Sequence, residues 1–124
     1  MLPISDYNKQ KMVTERIIQS YSSKLRTVII RPASVCGYSP RLRLDLTVNM
    51  FTYQAYRNKL ITIFGGNQIR PNIHIDDLVS LYLFFLNSKK SGIYNAGFEN
   101  LSISEIAKKI QKKINYKIKY FKTI

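Results

Sequence analysis

Tyr7 and Lys11 stand four residues apart in a stretch with no glycine or proline between Ile4 and Ser23. On a helix that spacing puts both side chains on one face, one turn apart. A free phenol titrates near pH ~10 and is a poor base at neutral pH, but a cation beside it favours the phenolate. Tyr-x-x-x-Lys is therefore a device for moving a proton on or off an alcohol. The pair carries little weight alone. With 9 Tyr and 13 Lys among 124 residues, such a spacing is expected by chance, as a surface Tyr and Lys on a helix.

The elements that must position this pair follow from periodicity. A helix is predicted from about Ser5 to Ser23, capped by Ser5 or Asp6, with Met12, Val13, Ile17 and Tyr21 as its apolar stripe. Arg26 to Arg31 is β-branched and continuous, and reads as a parallel strand buried on both faces, ended by Pro32. A loop with Gly37 and Pro40 follows, then a helix over Asp45 to Arg57 and a strand over Leu60 to Phe64. Ile69 to Ile75 is extended but holds Pro71, which predicts an edge or irregular strand. Asp76 or Asp77 caps a helix through about Asn87, with His74 and Asp77 shaping the turn into it. That helix is apolar nearly all round and calls for cover on most sides. Ile93 to Asn95 is a short strand, and Ser102-x-x-Glu105 is a capping box opening a further helix. Tyr116 to Phe121 is a candidate final strand.

Composition narrows the class. The chain has 124 residues, 45% hydrophobic and 22% charged, which suits one globular domain. One cysteine, Cys36, excludes an intrachain disulfide, and one histidine, His74, argues against a His-rich metal centre. Leu78 to Leu86 is too short an apolar run to span a bilayer, and the N-terminus does not read as a signal peptide. A soluble cytoplasmic α/β protein is expected. The formal charge is +13, and seven lysines lie between Lys108 and Lys122 with no acid among them. One alternative is thus a basic module binding RNA or an acidic partner. A solvated lysine-rich surface explains the charge better, because the segment matches no nucleic-acid module.

Around the Tyr–Lys pair lies an ordered series. Pro3 and Glu15 flank it, and then come Arg31-Pro32, Val35-Cys36-Gly37-Tyr38-Ser39-Pro40, Asp45 and Asn49. Gly65-Gly66-x-Gln68-x-Arg70-Pro71, His74-Ile75-Asp76-Asp77 and Tyr94-Asn95-Ala96-Gly97 complete it. In this order the sequence resembles the NAD-dependent epimerase/dehydratase family of the extended short-chain dehydrogenase/reductase superfamily, over essentially its whole length. The resemblance implies an enzyme acting on a nucleotide-linked sugar, with NAD or NADP taking and returning a hydride. It implies that Tyr7 is the acid/base and that Lys11 meets the nicotinamide ribose and supports the tyrosine. It implies that Pro32 to Ser34 pass near the nicotinamide, that Asn49 meets the substrate diphosphate and that Arg70 meets its nucleotide part. Arg41 and Arg43 are open to phosphate contact, or are ordinary loop arginines.

The resemblance also shows a gap. No G-x-x-G-x-x-G or G-x-G-x-x-G occurs, so the usual cradle for a dinucleotide pyrophosphate is not in this sequence. The expected fold is the C-terminal part of an NAD(P)-binding Rossmann-type α/β fold with its small substrate-binding subdomain. Residues 1–40 would hold the catalytic helix, late Rossmann strand and following loop, and residues 41–124 mainly the subdomain. The expectation is a single partial domain without its dinucleotide-binding half, inactive alone, and completed by that half or by a homodimer partner. A decayed, non-functional fragment is the remaining alternative. No membrane or nucleic-acid partner is expected.

Overall fold

Ser5 opens the first helix as its N-cap, its hydroxyl accepting from the Asn8 backbone N–H at 3.3 Å. The computed structural model describes residues 5–121. In chain order the elements are α1 (Asp6–Ser20), β1 (Val28–Pro32), β2 (Ser34–Cys36), α2 (Thr47–Asn58) and β3 (Leu60–Phe64). Then come β4 (Ile69–His74), α3 (Ile75–Asn87), β5 (Gly92–Ala96), β6 (Glu99–Ser102), α4 (Ile103–Gln111) and β7 (Lys117–Phe121).

The strands form three small sheets among the described residues. β1 pairs with β5 in parallel, from Val28 opposite Gly92 to Pro32 opposite Ala96. β4 lies between β2, parallel to it, and β6, antiparallel. β3 and β7 form a parallel pair. Mixed helices and parallel pairs are the α/β architecture expected.

Several expectations need correction. Pro32 ends β1 as expected, being its last residue, but Ser34–Cys36 is a strand rather than loop. β1 is not buried on both faces: Val28 to Ile30 are half-buried and Arg31 and Pro32 exposed, and among the described residues β5 is its one strand neighbour and α1 buries nothing. β4 is the central strand of its sheet, not an edge. Its pairing with β2 begins only at Asn72, so Pro71 sits where β4 has β6 alone beside it, opposite Asn100. A missing N–H is tolerated there as at an edge. His74, not Asp76 or Asp77, is the N-cap of α3: its Nδ1 accepts from the Asp76 backbone N–H at 3.3 Å. Asp76 and Asp77 occupy the first turn, where anions suit the helix dipole.

The main core lies where α2, β3 and α4 meet. Phe51, Ala55, Ile61, Ile63, Ile106, Ala107 and Tyr116 are buried together there. Tyr116 places its hydroxyl on the Ala107 carbonyl, and burial raises its pKa. The capping box starts α4 as expected: Ser102 Oγ accepts from the Glu105 N–H while Glu105 accepts from the Ser102 N–H. A smaller cluster of Ile73, Leu78 and Ala96 joins β4, α3 and β5. In α3 only Leu78 and Phe85 are buried, while Leu83, Phe84 and Leu86 are 54%, 52% and 72% exposed. The cover that its composition calls for is not among the described residues. α1 buries no residue at all.

Candidate active site

Tyr7 and Lys11 both lie on α1, on adjacent turns, with Lys11 Nζ 5.5 Å from the Tyr7 ring centroid. Both face solvent, Tyr7 being 67% exposed. Glu15 continues the same stripe one turn on, since residues four apart share a face. It is tied to β1. Arg31 donates from Nε to both Glu15 oxygens at 2.9 and 3.1 Å, and from Nη2 to Oε2 at 2.5 Å. The Arg31 fork holds the Glu15 carboxyl below its usual pKa and is itself held more firmly cationic.

This anchor ties α1 to the C-terminal end of β1. Arg31 lines a cavity of about 420 Å³ with Pro32, Ala33, Pro71, Asn95 and Gly97, among others. The cavity sits at the C-terminal ends of the parallel strands β1 and β5. After Pro32 the chain leaves that sheet and enters the next at Ser34, and ligands of open α/β sheets bind outside the carboxyl ends of the strands. Pro32 lines this cavity, while Ser34 is exposed at the start of β2, opposite Asn72.

Asn49 stands in the first turns of α2 and acts as a strap. Its Oδ1 accepts from the Gly37 N–H at 3.0 Å, and its Nδ2 donates to the Arg43 carbonyl at 3.0 Å. Gly37 has φ +114°, and a Cβ there would lie 2.6 Å from His74 Nε2, so the turn requires glycine. Asn49 faces two cavities. One, of about 120 Å³, is lined by Ser39, Arg41 and Arg43; the other, of about 380 Å³, by Tyr38, Tyr53 and Tyr56. Arg43 grips Asp45 at 2.5 and 3.1 Å. The Asp45 carboxylate, with a smaller contribution from Tyr7, holds the Arg43 guanidinium more firmly charged than usual. Arg70 is exposed on β4 opposite Leu101 and lines neither Asn49 cavity. The structure thus sets Tyr7 and Lys11 together on α1, ties the Asn49 loop separately to Gly37 and Arg43, and does not bring Arg70 beside Asn49.

Two features escaped the sequence. The Glu15–Arg31 tie was signalled only by Glu15 extending the Tyr7–Lys11 spacing. The second is on α2: Asn49, Thr52, Tyr53 and Tyr56 follow i, i+3, i+4, i+7 spacing and all line the larger cavity. Cys36, bonded to the Ile73 carbonyl at 3.5 Å, has its thiol pKa raised by burial, which suits packing rather than nucleophilic work.

The model of the NAD dependent epimerase/dehydratase family matches residues 1–97. The chain belongs to that family. Among solved structures it is similar to the ADP-L-glycero-D-manno-heptose-6-epimerase of Helicobacter pylori, at 25% identity and TM-score 0.84, covering 98% of this chain and 40% of that one. It shares its fold with the UDP-glucose 4-epimerase of Thermotoga maritima, solved with UDP-glucose, at 23% identity and TM-score 0.81, covering 99% of this chain and 42% of that one. It also shares the fold of the dTDP-glucose 4,6-dehydratase of Bacillus anthracis, solved with NAD, at 20% identity and TM-score 0.80, covering 100% of this chain and 42% of that one. The chain therefore spans about two fifths of the length of these proteins.

For NAD(P) the residues present suit one end only. A phenol and an ammonium without an ion-pair partner among the described residues, side by side on an exposed helix face, are of the chemistry that suits a ribose hydroxyl. The sequence has no Gly-rich turn to meet the pyrophosphate. No group of three or more metal-ligating side chains occurs among the described residues, and no helix among them is long and apolar enough to cross a membrane.

Proposed function

We propose that this chain carries the acid/base pair and part of the substrate site of an NAD(P)-dependent nucleotide-sugar epimerase or dehydratase. One observation carries the reading: Tyr7, Lys11 and Glu15 follow one face of α1, and Arg31, which holds Glu15, lines the cavity at the strand ends. In this reading the Tyr7 oxygen takes a proton from a sugar hydroxyl and gives it back. Lys11 holds a positive charge close to that oxygen and donates to the nicotinamide ribose. Pro32 to Ser34 offer backbone to the nicotinamide. Asn49 and Arg70 supply polar contacts to the nucleotide sugar, a guanidinium matching phosphate oxygens with its fork of donors. NAD(P), when bound, supplies the hydride chemistry.

The chain alone is proposed to turn nothing over, since it has no pyrophosphate cradle of its own. The test is a fusion in which this chain replaces the matching 40% of the Helicobacter pylori epimerase. Turnover of a nucleotide sugar by the fusion with NAD or NADP, and none by the chain alone, supports the proposal. A folded fusion that binds cofactor but leaves every nucleotide sugar unchanged refutes it.

A further inference from the structure

The main core is built from two segments almost free of acid. Leu46 to Ile75 holds no Asp or Glu, and none follows Glu105. Read along the chain, the lysines of these segments are solvated surface. The fold adds a place where they meet. α2 stops beside the start of β3, and α4 stops one turn before β7. The two strand starts are joined, the Lys117 N–H donating to the Lys59 carbonyl at 3.0 Å. A groove of about 770 Å³ opens there, lined by Asn58, Lys59, Leu60, Asn115, Tyr116 and Lys117. None of these residues lines the strand-end cavity or the two cavities that Asn49 faces.

The floor of the groove is fixed. Tyr116 is buried with its hydroxyl on the Ala107 carbonyl, and Gln111 Nε2 donates to the Tyr116 carbonyl at 3.0 Å. The rim is polar and cationic. Asn58, Lys59, Asn115 and Lys117 are exposed, and Lys112 and Lys113 stand exposed on the turn that leads into it. No described carboxylate pairs any of these four lysines. Helix dipoles explain part of this charge, since cations suit the C-terminal ends where Arg57 and Lys112 lie. They do not explain Lys117, which opens a strand, or the backbone of Lys59. Lys59 has φ +53° and is the one described non-glycine residue with positive φ. Glycine normally closes a helix in that conformation. A lysine held there is strained, and strain of this kind gathers at functional sites.

The partner must be an extended polyanion. A membrane surface fits poorly, because the site is concave and Leu60 is the one exposed apolar side chain in its lining. The charges of the lining are ammoniums, with no guanidinium fork to pair a carboxylate through two bonds. Ammoniums on flexible stems serve as point charges for successive phosphates, and the carboxamides of Asn58 and Asn115 add donors. The groove lies between two turns and presents no helix to enter a duplex, so a single strand is the form that fits. We infer that this groove binds the phosphate backbone of a single-stranded nucleic acid without regard to base sequence, with Lys59, Lys112, Lys113 and Lys117 on the phosphates. The inference stands apart from the function proposed above.

The test is fluorescence anisotropy of a short labelled oligouridylate titrated with the full chain across a range of salt. With these four lysines on phosphates, log affinity against log salt should fall with a slope of about −3, a loss of about fiftyfold between ~50 and ~200 mM salt. Lys59→Gly suits the positive φ, so its melting temperature should equal or exceed the parent's. It should nevertheless weaken the RNA about fivefold at ~100 mM salt and make the slope shallower by about 0.7. Lys117→Gln should weaken binding by a similar factor. Lys89→Gln, which removes the same charge from the connection after α3, should bind as the parent does. Three results overturn the inference. The first is no binding of the oligouridylate at ~50 mM salt, where the electrostatic contribution is strong. The second is Lys89→Gln weakening it as much as the groove variants do. The third is tighter binding of polyglutamate or of phosphatidylserine vesicles than of the RNA at equal salt, which would make the partner an acidic protein or a membrane.

Discussion

Arg31, the penultimate residue of β1, holds Glu15 of α1 through a two-nitrogen fork at 2.5 to 3.1 Å. It is the described side-chain link that sets α1 against the sheet. α1 buries no side chain, so apolar packing does little of that work. The orientation of the Tyr7–Lys11 face therefore depends on one partly exposed ion pair.

That dependence has a pH signature. Glu15 has a folded-state pKa below its ordinary value of 4.5, because Arg31 hydrogen-bonds its charged form. The linkage is present above about the ordinary value and is lost as pH falls through the lowered folded pKa. Amide exchange in residues 6–20 should rise in that acidic window before exchange in β3 does. Glu15→Gln should raise it already at neutral pH, with the core transition unchanged. Equal exchange in α1 and β3 across the window would show that the pair does not hold the helix.

The turn at Gly37 should tolerate no side chain. Gly37→Ala adds a Cβ at positive φ and 2.6 Å from His74 Nε2, so His74, the cap of α3, must move. A loss of about 1–3 kcal/mol is expected in denaturant unfolding, from backbone strain together with the displaced cap. An unchanged midpoint would show that the turn relaxes freely.

Ser102→Ala should cost about 0.5–2 kcal/mol, the usual range for an N-cap, because it removes the acceptor for the Glu105 N–H. Chemical denaturation checks the value. The Glu105 carboxyl, held below its ordinary pKa first by the Ser102 side chain, should titrate closer to the ordinary value in that variant.

The apolar faces left open on α1 and α3 predict association. Val13 and Ile17 on α1, Tyr21 at its C-cap, and Leu83, Phe84 and Leu86 on α3 are exposed. Patches of this kind mark a missing partner or an aggregation hazard. Sedimentation of the chain should show concentration-dependent association, and NAD should not raise its melting temperature. A monomer with a cooperative melt and a clear NAD-dependent rise would show a self-sufficient cofactor site.

Local physics made part of this fold legible. Ser5, the Ser102–Glu105 box and the Leu60–Phe64 strand follow from capping chemistry and β-branched runs, and each is present. The Tyr7–Lys11 geometry follows from helical spacing alone. What depends on partners was hidden. Ser34–Cys36 and Glu99–Ser102 are strands only because β4 lies beside them, and neither has the apolar alternation of a half-buried strand. Pro71 argued for an edge because the late start of β2 cannot be read from the sequence. The tyrosines on α2 escaped because each reads as ordinary surface until Gly37, Leu42 and His74 close the cavity around them.

The central claim is that Tyr7 moves the proton. The most direct measurement is kcat of the fusion with the Helicobacter pylori epimerase, with and without Tyr7→Phe, at saturating nucleotide sugar and cofactor. Removing a positioned acid/base should lower kcat by about 10²–10⁴-fold with cofactor affinity retained. A Tyr7→Phe fusion turning over at the parent rate would contradict the account.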